Sequence, residues 1–156
     1  MDEKKLAVFL NSLDASSILS RAALDPKVGI RRVRVENAPA DIGLGKLELY
    51  LAEVSAGSRV NPHFHQNGEE PYYILRGSGV MWLGRPQEKE GRWHCDWNAG
   101  RSIELGANDI LVVGAGEVHS LCNASKTQKL LIAFLCPAEH LISDRFLIEN
   151  LPPEKA

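Results

Sequence analysis

The sequence predicts an all-β protein in which many short strands close into a sandwich or a barrel. Short apolar or alternating segments recur along most of the chain, and glycine-containing turns separate them. One of these segments carries His63-Phe64-His65, whose two imidazoles face the same side of a strand because side chains alternate along it. The strand pattern alone does not choose between a sandwich and a barrel, but a barrel interior brings distant strands to one point.

The N-terminal region contains the best helix candidate, residues 14–24, with Asp14 as a possible N-cap and Asp25-Pro26 after its end. Alternating or apolar runs predict strands at residues 30–35, 46–54, 59–65, 72–76, 80–83, 103–105, 110–113, 118–123 and 129–136. The polar segment 85–101 is predicted to be an inserted loop or long hairpin, and residues 137–150 a short helix with a tail.

Size and composition indicate one soluble domain of 156 residues, with 44% apolar residues and a net charge of −2. This charge gives no nucleic-acid signal, and the short basic run at residues 31–34 is interpreted as the polar side of a strand. The N-terminus lacks the features of a signal peptide, and no apolar run approaches a membrane span. Three cysteines without CxxC spacing are interpreted as reduced thiols. We therefore expect a cytoplasmic protein without nucleic-acid or membrane partners.

Four residues suggest a metal site. His63 and His65 share one strand face, Glu70 follows after a short turn, and His119 can join them if the fold brings it there. Three neutral nitrogens and one carboxylate suit a divalent transition metal such as iron, manganese, nickel or zinc. The alternative is that the two histidines lie on a solvated strand.

Residues 57–77 resemble the first sequence motif of the cupins, in which a glycine, a His-x-His pair, a glutamate and a second glycine follow at set intervals. Here the spacing fits Gly57, His63, His65, Glu70 and Gly77. Taking Glu69 as the acid would put the final glycine one place out.

Residues 108–123 resemble the second cupin motif, with Gly116, His119 and Asn123 at the matching positions. Asn108 replaces a glycine and Gly114 replaces a proline. Both are turn positions, and both replacements tolerate unusual backbone angles. The resemblance covers about residues 45–136.

The resemblance implies a double-stranded β-helix, a jelly-roll barrel, with a short N-terminal helix and a C-terminal extension. It divides the chain into an N-terminal extension (1–40), a barrel (41–136) and a C-terminal extension (137–156). It implies His63, His65, Glu70 and His119 as metal ligands, and it implies a homodimer. A cupin that has kept these residues without binding metal is the alternative.

Other side chains are weaker candidates for catalysis. Arg59 and Asn61 share strand parity with His63, so Arg59 could bind an anionic substrate group, or else form a salt bridge at the barrel rim. Tyr72 shares parity with Glu70 and could place its hydroxyl near the metal, or else only pack. Tyr73 is expected to face outward.

Four further residues receive expected roles that do not involve metal. Asn123 is expected to be structural. His94 and Cys95 offer too few neighbouring ligands for a second metal site. His140 is expected to lie on the surface of a helix.

Two classes of function follow. The first is a metalloenzyme that acts on a small molecule, either a dioxygenase or an isomerase or lyase. An isomerase or lyase needs a general base, for which Tyr72 and Glu48 are the candidates. The second is a non-catalytic cupin that binds a sugar or an organic acid. The absence of a recognisable DNA-binding helix pair counts against a regulator.

Overall fold

Antiparallel β-strands form most of the molecule in the computed structural model, which describes residues 1–26 and 29–154. The strands are β1 (Ile30–Val35), β2 (Leu47–Val54), β3 (His63–Phe64), β4 (Glu70–Arg76), β5 (Gly79–Gly84), β6 (Pro86–Lys89), β7 (Arg92–Cys95), β8 (Arg101–Leu105), β9 (Ile110–Val113), β10 (Val118–Cys122), β11 (Leu130–Pro137) and β12 (Phe146–Leu147). Two α-helices, α1 (Glu3–Ser12) and α2 (Ala15–Ser20), precede them, and short 3-10 helices lie at Ala40–Ile42 and Ala138–Leu141.

The strands form two five-stranded sheets and one hairpin. One sheet has the order β1-β2-β11-β4-β9 and the other β12-β3-β10-β5-β8, while β6 pairs only with β7. All the pairings are antiparallel. An apolar core that includes Ile74, Met81 and Ile132 fills the space between the sheets. This is the jelly-roll barrel that the sequence motifs predict.

A second apolar layer covers the outer face of the first sheet. Leu6 and Leu10 of α1 and Leu19 of α2 pack against outward-facing residues such as Leu51 and Leu135. Strands β2 and β11 are therefore buried on both faces, which explains why β11 is a continuous apolar run instead of an alternating one.

The N-terminal region contains one more helix than the sequence predicted. In α1, Asp2 is the N-cap and its carboxylate accepts a hydrogen bond from the Lys5 amide. Leu6 and Leu10, one helical turn apart, are both buried. The predicted helix at residues 14–24 is shorter than expected: Asp14 caps α2 as predicted, but the helix ends at Ser20.

The predicted strand at residues 59–65 is also shorter, because only His63–Phe64 belongs to a sheet. Pro62 has no amide hydrogen to donate to a neighbouring strand, so the ladder is interrupted there. The chain before it still follows β10 through a bridge between Arg59 and Cys122. The expected parity breaks down here, and Asn61 is exposed while His63 is buried.

Of the two predictions for residues 85–101, a loop or a long hairpin, the structure has a short hairpin formed by β6 and β7. Trp93 packs edge-on against Phe64 with ring centroids 5.0 Å apart, and Trp97 packs against Trp82 at 6.4 Å. Both tryptophans therefore pack the insert against the barrel. Among the described residues, no helix has the length and apolar character needed to cross a bilayer.

Candidate metal centre

Four buried side chains converge between the two sheets. His63 and His119 lie on β3 and β10 and are directly opposite in register, His65 follows β3, and Glu70 begins β4 in the other sheet. One ligand atom from each residue lies within 4.8 Å of those of the other three, and each residue is at most 4% exposed. The structure thus brings together all four residues that the sequence singled out.

Backbone carbonyls fix the orientation of the three imidazoles. Nδ1 of His63 lies 2.7 Å from the Asn61 carbonyl, Nδ1 of His119 lies 3.1 Å from that of Glu117, and Nδ1 of His65 contacts that of Asp144. A carbonyl only accepts, so each Nδ1 carries a hydrogen, which leaves Nε2 as the ring atom that can bind a metal. This is the usual arrangement behind a metal-bound histidine.

The Nε2 atoms lack the partners that buried polar atoms normally have. Within the described part of the chain, Nε2 of His65 and of His119 are buried and make no hydrogen bond. Glu70 Oε2 lies 2.8 Å from Nε2 of His65, and Oε1 lies 3.9 Å from Nε2 of His119. A neutral His65 or His119 would turn the Nε2 lone pair toward this carboxylate, and a metal ion bound to both groups would relieve that repulsion.

The spacing of the donors suits such a cation. First-row metals bond to nitrogen and oxygen at about 2.0–2.2 Å, so opposite ligand atoms are roughly 4.0–4.4 Å apart. The observed limit of 4.8 Å is close to that value. The residues present therefore fit a divalent metal, and their mixed nitrogen and oxygen donors are compatible with several.

The protonation states also suit a metal. Burial lowers the pKa of both His63 and His119, which keeps the two rings neutral. Burial alone would raise the pKa of Glu70, but its contacts with His140 and His65 hold it well below its usual value. Near neutral pH, His63 and His119 are therefore neutral and the Glu70 carboxylate is ionised.

A row of aromatic rings leads away from the cluster along the inner face. Tyr72 lies 5.7 Å from His119, Phe134 lies 5.9 Å from Tyr72, and Tyr50 stacks on Phe134 at 5.1 Å between centroids. The guanidinium of Arg32 lies over the Tyr50 ring, 5.6 Å from its centroid.

Tyr72 faces the cluster, as its parity with Glu70 predicts. Burial raises the pKa of Tyr72, and the negative charge of Glu70 raises it further. Tyr73 faces away from the barrel interior, as expected, but it is covered by α1, and its hydroxyl bonds to Asn11 and Asn108.

Arg145 is a cation whose charge acts on this cluster, and no sequence motif includes it. Its charge bears on both His63 and Tyr72. Arg59 lies beside Cys122 instead, and its charge counteracts the effect of burial on that thiol. Arg145 directly precedes β12, a strand of two residues that is too short to show a pattern in the sequence.

The prediction that His140 lies on the surface of a helix is wrong. His140 belongs to the 3-10 helix Ala138–Leu141 and is fully buried. Its ring stacks on that of His65, with centroids 3.9 Å apart and planes 3° apart. Its Nδ1 lies 3.3 Å from Glu70 Oε2, and its Nε2 donates to the Asn67 carbonyl. Burial alone would lower the pKa of His140, but these oxygen acceptors outweigh it and raise the pKa.

Two asparagines of the second motif, Asn108 and Asn123, have structural roles. Asn108 takes a left-handed φ of 73°, and Asn123 donates to the carbonyls of Val54 and Gln128. Asn123 is therefore structural, as expected. His94 and Cys95 lie on the hairpin, and among residues 1–26 and 29–154 the four-residue cluster is the one group of at least three metal-ligating side chains.

The comparisons with known proteins agree with this fold. No family model matches the sequence, and no curated protein matches it. Among solved structures, KdgF from Halomonas sp. matches with a TM-score of 0.51 and 19% identity, over 74% of this chain and 84% of that one. An oxalate oxidase structure matches with a TM-score of 0.59 and 15% identity, over 88% of this chain and 67% of that one.

The polyketide cyclase RemF from Streptomyces resistomycificus matches at 0.54 with 21% identity, over 79% of this chain and 73% of that one. These are all cupin-family structures. The chain therefore has the cupin fold, with a His/Glu cluster suited to metal inside its barrel.

Proposed function

We propose that this protein is a metal-dependent enzyme acting on a small molecule, with His63, His65, Glu70 and His119 as the metal ligands. The observation that carries the proposal is the pair of buried Nε2 atoms, on His65 and His119, that make no hydrogen bond within the described residues. Leaving two such atoms unpaired would cost about 1–3 kcal/mol each without a partner. A bound metal would be that partner.

A divalent metal held by four protein ligands would supply Lewis acidity or redox chemistry to a substrate oxygen at its remaining positions. An oxalate oxidase and a polyketide cyclase among the structural neighbours are enzymes by name, which supports a catalytic role. Their identities, 15% and 21%, are too low to carry over a substrate.

The surrounding residues suggest what the protein does for a substrate. Tyr72 remains protonated because its pKa is raised, so its hydroxyl is a hydrogen-bond or proton donor at the cluster. Arg145 supplies positive charge that favours an anionic substrate. The other predicted base, Glu48, lies 3.4 Å from Arg34 and accepts a hydrogen bond from Tyr50, which makes it a weaker base.

Two reaction classes are compatible with this site. A dioxygenase would require iron and consume O₂ with substrate. An isomerase or lyase would use zinc, manganese or nickel and would consume none. The second candidate function is a non-catalytic cupin that binds a sugar or an organic acid. The observation that favours it is the burial of all four residues of the cluster.

The test is metal analysis of protein purified without chelators, followed by O₂-uptake and product assays on catechols, thiols and keto acids. About one equivalent of metal with turnover supports the enzyme, and O₂ uptake selects the dioxygenase. Metal with saturable binding but no turnover selects the binding protein. Failure to take up iron, manganese, nickel or zinc after reconstitution overturns the proposal.

The sequence resemblance further leads us to propose a cytoplasmic homodimer. Sedimentation equilibrium of the full chain would measure its mass against the 17.2 kDa of one chain.

A further inference from the structure

The segment that follows the barrel, residues 137–147, lies across the loop that carries the metal ligands. The Asp144 carboxylate accepts hydrogen bonds from the amides of Gln66 and Asn67, at 2.7 and 2.9 Å. Strand β12 pairs with β3, so that Leu147 is opposite His63. This segment lies outside both sequence motifs, yet it is bound to the part of the chain that bears three of the four ligands.

His140 is the residue of this segment that contacts the ligands themselves. Its ring is parallel to that of His65, and its Nδ1 lies 3.3 Å from Glu70 Oε2. Its other nitrogen is fixed by the Asn67 carbonyl. Both ring nitrogens and one ring face are therefore engaged, and the side chain is fully buried.

We propose that His140 is a positioning residue of the metal centre, which fixes the rotation of the Glu70 carboxylate and the plane of the His65 ring. The inference rests on the proposed function, since positioning matters only if these residues bind metal. Oε2 of Glu70 faces both His65 and His140, whereas Oε1 faces His119. Since Nε2 donates to the Asn67 carbonyl, Nδ1 donates to Oε2 only from the doubly protonated ring, and that donor would keep the carboxylate from rotating about its own axis.

Chemical reasons favour this role over simple packing. A leucine or phenylalanine would fill the same buried volume without placing a donor against a buried carboxylate. Groups that hydrogen-bond to metal ligands set the orientation and donor strength of those ligands, and losing one costs about 10–100-fold in metal affinity. His140 has the contacts of such a group on two ligands at once.

Two amide substitutions separate the contact with Glu70 from the contact with the loop. In His140→Asn the side-chain amide nitrogen can occupy the place of Nδ1 and still donate to Glu70. In His140→Gln the amide nitrogen can occupy the place of Nε2 and still donate to Asn67. His140→Phe keeps the stacked ring and removes both donors, and His94→Gln on the outer hairpin is the matched control.

The experiment measures Mn(II) and Co(II) binding to the full chain by calorimetry, with the Mn(II) EPR and Co(II) visible spectra recorded for each variant. We expect His140→Gln and His140→Phe to bind Mn(II) about 10–100-fold more weakly, with altered spectra. His140→Asn should recover most of the affinity, and His94→Gln should match the wild type. A purely structural role would change the thermal midpoint but not the spectrum of the bound ion.

Equal affinities and unchanged spectra in all three His140 variants, with metal bound by the wild type, would overturn this inference and leave the proposed function intact. A wild-type protein that binds neither ion would overturn both. Circular dichroism identifies any variant that does not fold. If His140→Phe does not fold, the Mn(II) affinities of His140→Asn and His140→Gln are compared. Equal affinities of these two variants would reject the contact with Glu70.

Discussion

His63 and His119 lie directly opposite each other on neighbouring antiparallel strands, with ring centroids 4.2 Å apart. The two residues come from different motifs in distant parts of the sequence. Their Nδ1 atoms are held by the carbonyls of Asn61 and Glu117, each two residues before its histidine. The pair shows that both motifs contribute to one site, and it is the natural place to disturb that site.

Replacing His119 with glutamine should abolish tight metal binding. Losing a direct ligand should cost more than the roughly 10–100-fold that accompanies loss of a hydrogen-bonding neighbour. Metal content after dialysis, together with calorimetry, measures the effect. His94→Gln, on the hairpin outside the cluster, should retain the wild-type metal content, and equal retention by both variants would contradict the ligand assignment.

Acidification should destabilise the metal-free protein. The pKa of His63 and of His119 is lowered by burial, so below about pH 6.5 the unfolded chain binds protons that the folded chain does not. Glu70 acts in the same direction at lower pH, because its stabilising contribution is lost as pH falls through its lowered pKa. His140 acts in the opposite direction, since its raised pKa stabilises the fold at low pH.

Two histidines with a lowered pKa act against one histidine with a raised pKa, so the free energy of unfolding should fall between pH 6.5 and 5. The slope contributed by each fully titrating group is at most about 1.4 kcal/mol per pH unit. Urea unfolding at a series of pH values measures it, and His119→Gln should flatten the curve. A metal-free protein that gains stability on acidification would show that His140 dominates.

Replacing Asn108 with alanine should destabilise the fold by about 2–3 kcal/mol. Asn108 has a φ of 73°, which alanine tolerates poorly, and its Oδ1 accepts a 2.8 Å hydrogen bond from the Tyr73 hydroxyl. Asn108→Gly keeps the backbone conformation and loses only the side-chain bond, so about 1 kcal/mol is expected. Urea unfolding compares the two, and equal losses would exclude a contribution from the backbone angle.

The thiols should differ in reactivity. Burial raises the pKa of Cys95 to about 11 and that of Cys136 to about 12, and both side chains are buried. Cys122 is only half-buried, although its pKa is also raised by burial. Iodoacetamide at pH 8, followed by peptide mass spectrometry, should label Cys122 first and the other two only in denaturant. Early labelling of Cys136 would indicate that this end of the barrel opens.

Some elements were recognisable from local sequence because a local rule determines them. Strand β1 and strand β9 have the predicted bounds, since turn residues set their limits. Helix α1 was missed, although Asp2 and the spacing of Leu6 and Leu10 are the signals of a capped helix with one buried face. The predicted strand at residues 59–65 is too long, because Pro62 cannot donate to the ladder and interrupts it.

The sequence by itself determined which side chains are able to bind a metal: His63 and His65 by their spacing, and Glu70 and His119 by their motifs. Only the tertiary structure decided that Asp144, Arg145 and His140 join them. These residues follow the last long strand, in a 3-10 helix and a two-residue strand whose positions depend on β3 and on the ligand loop. No periodicity marks such a segment, because its burial comes from contacts with distant residues rather than from its own pattern.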